Sequence, residues 1–256
     1  MTDLRGAAHP LSPGLSNGSS RGPASKLGVV VVRDIVTAIV TGAITPGSSL
    51  PNEAALTGTF GVSRTVIRES VKRVEEKGLI AIEQGRGMRV LPPSSWNVLD
   101  PIVLSAMVEH DDSLGVLDDL AVVRASLEAS MAALTAERRA DDELAALGEA
   151  LARMEAALDD EETFNEADAE FHLIVMGASR NTLADSITRI LFRRARESER
   201  FRGHAAGDEL RLSFEEHRLV YEAIKARNPY SAEIAMRTHI RSAWARRRLR
   251  GASADS

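Results

Sequence analysis

The chain has 256 residues, 44% of them hydrophobic, no cysteine and a net charge of −5. The missing cysteine excludes a disulfide framework and a thiolate metal site and fits a reducing, cytoplasmic setting, and the length suits two modest domains. The charge divides unevenly: nine Lys or Arg stand against six Asp or Glu between Lys26 and Pro93, a balance of +3, and 21 basic against 30 acidic residues follow from Ser94 on, a balance of −9. Such asymmetry points to nucleic acid at one end and a different partner at the other.

Met1 to Ser25 is rich in Gly, Pro, Ser and Ala without an apolar core, and is expected to be a disordered tail rather than a secretory signal. The run Val29 to Val32 is too short to span a membrane; it begins a buried helix that ends near Thr41, ahead of Gly42 and the Pro46–Gly47 turn. Next, Asn52 can cap a helix running to about Thr59, Gly61 can take positive φ, and Ser63 can cap a second helix closed by Gly78. This punctuation predicts a helix-turn-helix. On the second helix Ile67, Val71 and Val74 form an apolar face, while Arg64, Arg68 and Lys72 fall four apart on the other, with Thr65 beside them. A basic stripe on one helix is often only a solvated face, but here a strand pair around Gly85, Arg86 and Gly87 follows and has the character of a wing. A winged helix that places its basic helix against base edges is the expectation.

Pro92, Pro93, Ser94 and Ser95 break the strand pattern. Asp100 followed by Pro101 starts a helix, and further helices fit at about Ser113 to Arg139, Asp141 to Leu158, Glu162 to Ala178, Asn181 to Arg202, Asp208 to Arg227 and Tyr230 to Arg250. Val116, Leu120, Val123, Leu127 and Leu134 are expected to form one apolar seam, and Leu144, Leu147, Leu151 and Met154 another. Short connections predict an antiparallel bundle. The fold class is therefore mainly α, an N-terminal winged helix-turn-helix joined to an all-α bundle. Its divisions are a tail over 1–25, the winged helix over 26–92, a linker over 93–99, the bundle over 100–250 and a tail over 251–256.

The acidic half carries a metal-like constellation. Asp168 and His172 lie four apart on one helix and can reach a common point, and His217 and His239 sit among apolar residues in two later helices. One carboxylate and three imidazoles suit Zn, Ni or Mn; scattered helical histidines are otherwise surface residues or satisfied core groups. Arg124 lies among apolar neighbours and needs an anion: Glu128, one turn on, is one partner, and a ligand is another. The run Arg246 to Arg250 fits a solvated last turn complementing the helix dipole better than a second nucleic-acid site, and the pair Arg193 and Arg194 is similarly ambiguous. Phe192, Tyr221 and Trp244 are expected in the core or a pocket wall.

Two stretches carry a family resemblance. PGSSLPNEAAL, VSRTVIRE, KGLI and GRGMRV, within Lys26 to Pro92, resemble the GntR superfamily of bacterial transcription regulators. Asp100 to Arg250 resembles the FCD effector domain of its FadR subfamily, through Asp168, Phe171, His172, Asn181, His217 and His239. The resemblance implies that Arg64, Thr65 and Arg68 read operator bases or hold phosphates and that the wing around Gly85 enters the minor groove. Its expected DNA-binding set is Arg33, Ser63, Arg64, Thr65, Arg68, Gly85, Arg86 and Gly87. It further implies a divalent metal on Asp168, His172, His217 and His239, zinc first and nickel or manganese as alternatives, and a small carboxylate gripped by Arg124. Asn181 is assigned either to the ligand shell or to a helix cap. Ala54 stands where many members carry Arg, which implies a different operator, and WNVLDPIVL looks like the sugar-acid-responsive branch typified by galactonate repressors.

The resulting expectation is a cytoplasmic, homodimeric regulator, a repressor by family habit, without a membrane partner, whose hold on operator duplex DNA is switched by the acid. Two rivals accompany it. One is a metal-dependent hydrolase or lactonase on the same ligands, against which no HExxH pattern is present. The other is an architectural DNA-binding protein whose helical half only dimerises.

Overall fold

The computed structural model describes residues 23–83, 87–111, 115–197 and 207–254. The first helix, α1 (Pro23–Val40), opens three residues ahead of the expected boundary at Lys26 and leads into β1 (Ser49–Leu50), α2 (Glu53–Phe60) and α3 (Arg64–Glu76). The turn follows its punctuation. Asn52 accepts a hydrogen bond from the Ala55 amide at 2.9 Å, Gly61 ends α2 at φ 63°, and Ser63 Oγ accepts from the Val66 amide at 3.3 Å. Two strands, β2 (Ile80–Glu83) and β3 (Gly87–Val90), complete an antiparallel sheet of order β1-β3-β2, with Leu50 opposite Met88 and Ile80 opposite Val90. Ile67, Val71 and Val74 of α3 are buried against Val32, Val36 and Ile39 of α1 and the inner face of the sheet. Gly78 lets the chain turn out of α3 at φ 76°, and a Cβ there would lie 2.2 Å from the Ser95 carbonyl oxygen, so the linker is pressed onto the end of α3.

A single 3₁₀ turn at Pro93–Ser95 precedes α4 (Pro101–Glu109), then α5 (Gly115–Arg138), α6 (Asp141–Ala156), α7 (Glu161–Ala178), α8 (Thr182–Glu197), α9 (Gly207–Lys225) and α10 (Pro229–Ala254). The expected ends at Ser113 and Arg202 lie outside the described residues. The last helix runs through the expected tail as far as Ala254.

The seam predicted for α5 is displaced. Of its five residues only Leu120 is buried, and Val123 is 42% exposed. The buried face instead carries Ala125, Ala129, Ala132 and Ala136, packed into one core with Leu147, Met154, Phe171, Val220 and Met236. Small side chains let the facing helices close on the α5 backbone, so Val123, Leu127 and Leu134 are left on its flanks, while Leu117 and Met131 are buried in smaller clusters beside this core. The α6 seam is placed as expected, with Leu147, Leu151 and Met154 buried and Leu144 packed against them.

The boundary before α4 is also blurred. Val103 and Ala106 belong to the winged-helix core, while Leu104 and Val108 join Leu117, Leu120 and Leu191 of the bundle. One helix thus serves two cores, because apolar residues occupy both of its faces.

Candidate nucleic-acid interface and metal centre

Burial of Ile67, Ser70, Val71 and Val74 fixes the rotation of α3 and turns Arg64, Thr65, Arg68 and Lys72 to solvent, with Ser63 exposed at its start. Arg68 Nε lies 3.8 Å from Glu53 Oε1 of α2, and both side chains are largely exposed. Such a pair is screened and weak, leaving the guanidinium free to exchange Glu53 for a phosphate or a base edge. Arg33 is exposed on α1 and Gly87 opens β3, whereas Gly85 and Arg86 lie outside the described residues. Arg89 was missed by sequence reasoning. The two-residue alternation of β3 buries Met88 and Val90 and turns Arg89 outward, 3.7 Å from Glu83 across the ladder.

In the bundle, α7 supplies Asp168 and His172 from adjacent turns, α9 supplies His217 and α10 supplies His239. One ligand atom from each lies within 4.8 Å of all the others. His172 Nε2 is 3.3 Å from His239 Nε2 and 3.3 Å from His217 Nε2, and His217 Nε2 is 3.2 Å from Asp168 Oδ1. The three imidazoles are also held from behind. His172 Nδ1 donates to Glu128 Oε2 at 2.6 Å, His217 Nδ1 to the Ser213 carbonyl at 2.8 Å, and His239 Nδ1 to Glu216 Oε2 at 3.0 Å. With the proton on every Nδ1, three Nε2 lone pairs converge with a carboxylate oxygen.

Burial disfavours the cationic form of His239 and, with His217 beside it, brings its pKa down to about 3, so it does not supply a bridging proton near neutrality. Burial alone would raise Asp168, but in the metal-free cluster a proton on His217 Nε2, the place a metal would take, prevails and holds it well below the usual carboxylate range. Facing lone pairs and an anion need a cation between them, and the spacings suit ligands about 2.1 Å from one ion. The four residues therefore fit a divalent metal.

Two carboxylates behind the cluster were not anticipated. Glu128 is fully buried, and its other oxygen, Oε1, accepts from Arg124 Nε at 2.7 Å. Burial pushes Glu128 up, but Arg124 and His172 outweigh it and bring the pKa to about 2. Glu216 is gripped by both terminal nitrogens of Arg246, each at 2.8 Å, and desolvation is again overcome, leaving it at about 2. Arg246 is thus no solvated last-turn cation. The helix continues past it, so it lies mid-helix over α9, and Arg248 sits 3.1 Å from Asp118 at the start of α5. The only sequence signals were Glu128 at i+4 from Arg124 and Glu216 beside His217, and the second misleads because Glu216 backs His239.

A cavity of about 490 Å³, including its open mouth, adjoins the cluster. Arg124, Asp168, His172 and His239 line it, with Phe192, Trp244, Leu120 and Ile240 as apolar wall and the Ser213 residue at its side. Arg124 lies 4.5 Å over the Phe192 ring. The two partners weighed for Arg124 are compatible: Nε is bound to Glu128, and among the described residues the terminal nitrogens meet no protein acceptor. Asn181 is placed as a cap, its side chain accepting from the Ala184 amide of α8 at 3.2 Å, and it does not line the cavity.

A winged helix-turn-helix fused to an all-α bundle with a partly open cavity beside a histidine cluster is the architecture of a DNA-binding transcription regulator. The signature of bacterial regulatory proteins of the gntR family matches residues 27–90, and that of the FCD domain matches residues 119–242. The chain is 34% identical to the Galactonate operon transcriptional repressor of Escherichia coli K12, over 81% of this chain and 91% of that protein. It is 29% identical to the HTH-type transcriptional regulator LutR of Bacillus subtilis 168, over 79% and 92%. Among solved structures, E. coli McbR/YncC shares the fold with a TM-score of 0.51 at 19% identity, covering 88% of this chain and 99% of that one. The chain belongs to the gntR family of bacterial regulators, with an FCD domain in its C-terminal half. Its relatives carry the names of transcription regulators, which places it among regulators and not enzymes.

Proposed function

We propose that this regulator represses a catabolic operon by binding its operator duplex as a homodimer, and that a small organic acid, a sugar acid in first place, releases it. The supporting observation is that Arg124 and three of the four converging ligands, Asp168, His172 and His239, line one cavity. Asp168, His172, His217 and His239 would hold the divalent ion, zinc first and nickel or manganese as alternatives. When bound, the ion supplies a fixed positive charge for a ligand oxygen. Arg124 orients the carboxylate through its terminal nitrogens, and the Phe192 and Trp244 wall excludes water. The name of the E. coli relative, which refers to galactonate, favours an aldonic acid.

On the DNA side, Arg64, Thr65 and Arg68 would meet the major groove, Ser63 and Arg33 the backbone, and the wing around Gly85, Arg86 and Gly87 the minor groove. Ala54 in place of Arg supports an operator that departs from the family norm. The hydrolase reading needs a carboxylate free to take a proton, whereas the two glutamates behind the cluster are engaged by arginine and histidine.

The test is a mobility shift of zinc-loaded protein on the promoter DNA beside its own gene, titrated with D-galactonate, L-lactate and unacidified sugars. Release by an acid and not by neutral sugars is expected. Binding that no acid alters, with Arg124→Ala indistinguishable from the parent protein, would remove the effector assignment.

A further inference from the structure

Glu128 is shared between two jobs. Its Oε1 accepts from the guanidinium of Arg124 at 2.7 Å and its Oε2 from Nδ1 of His172 at 2.6 Å, and its side chain is fully buried. Arg124 faces the cavity, and His172 Nε2 faces the other imidazoles. The second relay, Arg246–Glu216–His239, has the same order of groups, but its arginine does not line the cavity. Of the two arginine–glutamate relays, the first therefore connects the cavity wall to a ligand of the cluster.

We propose that Glu128 is a positioning residue that makes metal occupancy and anion capture interdependent. The inference rests on the metal-and-carboxylate reading given above. One carboxylate divides a single negative charge between two donors. An anion on Arg124 takes over part of the neutralisation of the guanidinium, so Glu128 is freed to accept more strongly from His172 Nδ1–H. That raises the basicity of His172 Nε2 and tightens the metal. Conversely, a cation on Nε2 makes Nδ1–H a stronger donor, draws Glu128 toward His172 and leaves Arg124 with more uncompensated positive charge for an incoming carboxylate. By linkage the two affinities rise by the same factor.

The consequence can be read with zinc alone, because Arg124→Met imitates an anion by withdrawing the guanidinium from Glu128. Zinc affinity is measured by chelator competition in the full-length parent, Arg124→Met, Glu128→Gln and the double variant. Arg124→Met should bind zinc on the order of fivefold more tightly than the parent, and Glu128→Gln about tenfold or more weakly. Arg124→Met should have no effect in the Glu128→Gln background. An equal gain from Arg124→Met with and without Glu128 would mean simple repulsion between Arg124 and the ion, and would overturn the relay. A loss of affinity in Arg124→Met would overturn it as well. Where Glu128→Gln alone does not fold, since it strands Arg124, the double variant strands no charge and must bind zinc more weakly than Arg124→Met. A parent protein that takes up no zinc, nickel or manganese would reject the metal reading itself and the relay with it.

Discussion

Lys77 Nζ and Asp100 Oδ2 lie 2.5 Å apart, and they join the C-terminal cap of α3 to the N-terminal cap of α4. The other oxygen of Asp100 accepts from the Ile102 and Val103 amides that open α4, and the Asn97 amide donates to the Lys77 carbonyl at 2.9 Å. Both charged side chains are more than four-fifths covered, so the pair is less screened than a surface contact. On the far side, Leu104 and Val108 of α4 share a cluster with Leu120, and Trp244 packs against it; both of these line the cavity. Movement of the cavity wall therefore has a packed route, through α4, to the end of the basic helix.

Replacing Asp100 by Ala removes a cap worth about 1 kcal/mol and the ion pair together. Calorimetry of the full chain should show the melting of the winged helix moving below that of the bundle. A single unshifted transition would mean that α4 does not couple the halves through this residue.

Metal removal should be visible as stability. An ion present at a hundred times its dissociation constant adds about 2.7 kcal/mol, so chelator should lower the midpoint of the bundle. His172→Ala should lose that difference between metal-loaded and chelated samples. An equal chelator effect in His172→Ala would place the ion elsewhere.

In the chelated protein, pH acts through His239. Its folded pKa, near 3, lies below the ordinary value of 6.5, so between these limits the unfolded chain binds the extra proton. Stability is fully present above pH 6.5 and falls as pH drops through that window, approaching about 2 kcal/mol of loss at pH 5. Glu128 and Glu216, both held near 2, add their loss only below their ordinary 4.5. Urea unfolding at pH 7.5 and pH 5.0 measures the difference; equal stability would show that His239 takes up its proton in the folded protein as readily as in the unfolded chain.

On the DNA side, Arg68→Ala should cost about 1 to 3 kcal/mol of discrimination between operator and scrambled duplex if the guanidinium pairs with a base edge. A uniform loss on both duplexes, with a reduced salt dependence, would assign it to phosphate instead.

The parts of the molecule governed by local chemistry were legible. Asn52, Gly61, Ser63 and Gly78 each satisfy or release backbone groups within a few residues, so the helix-turn-helix could be read from punctuation. Asp168 and His172 were legible because i, i+4 spacing fixes their common direction. The failures are all long-range. Val123 has the right period but lies on a flank, because the alanines of α5 decide which side its neighbours approach. Arg246 looked like a terminal cation because nothing near it in sequence announces Glu216, 30 residues away. Glu128 was visible as a partner for Arg124, but its contact with His172 depends on α7 packing against α5, which no spacing within either helix reports.

Helix α4 falls between the two family signatures, at 27–90 and 119–242, and yet Val103 is completely buried in the first core and Leu104 nearly so in the second. A fragment ending at the linker would expose the hydrophobic floor under α1, and burying one valine alone is worth about 1.5 to 3 kcal/mol. The DNA reader is consequently not a detachable module. Chimeras that exchange sensors between relatives will work only if the splice is made after α4, so that the helix travels with the reader whose core it completes, and the facing Leu117 and Leu120 are rematched to it.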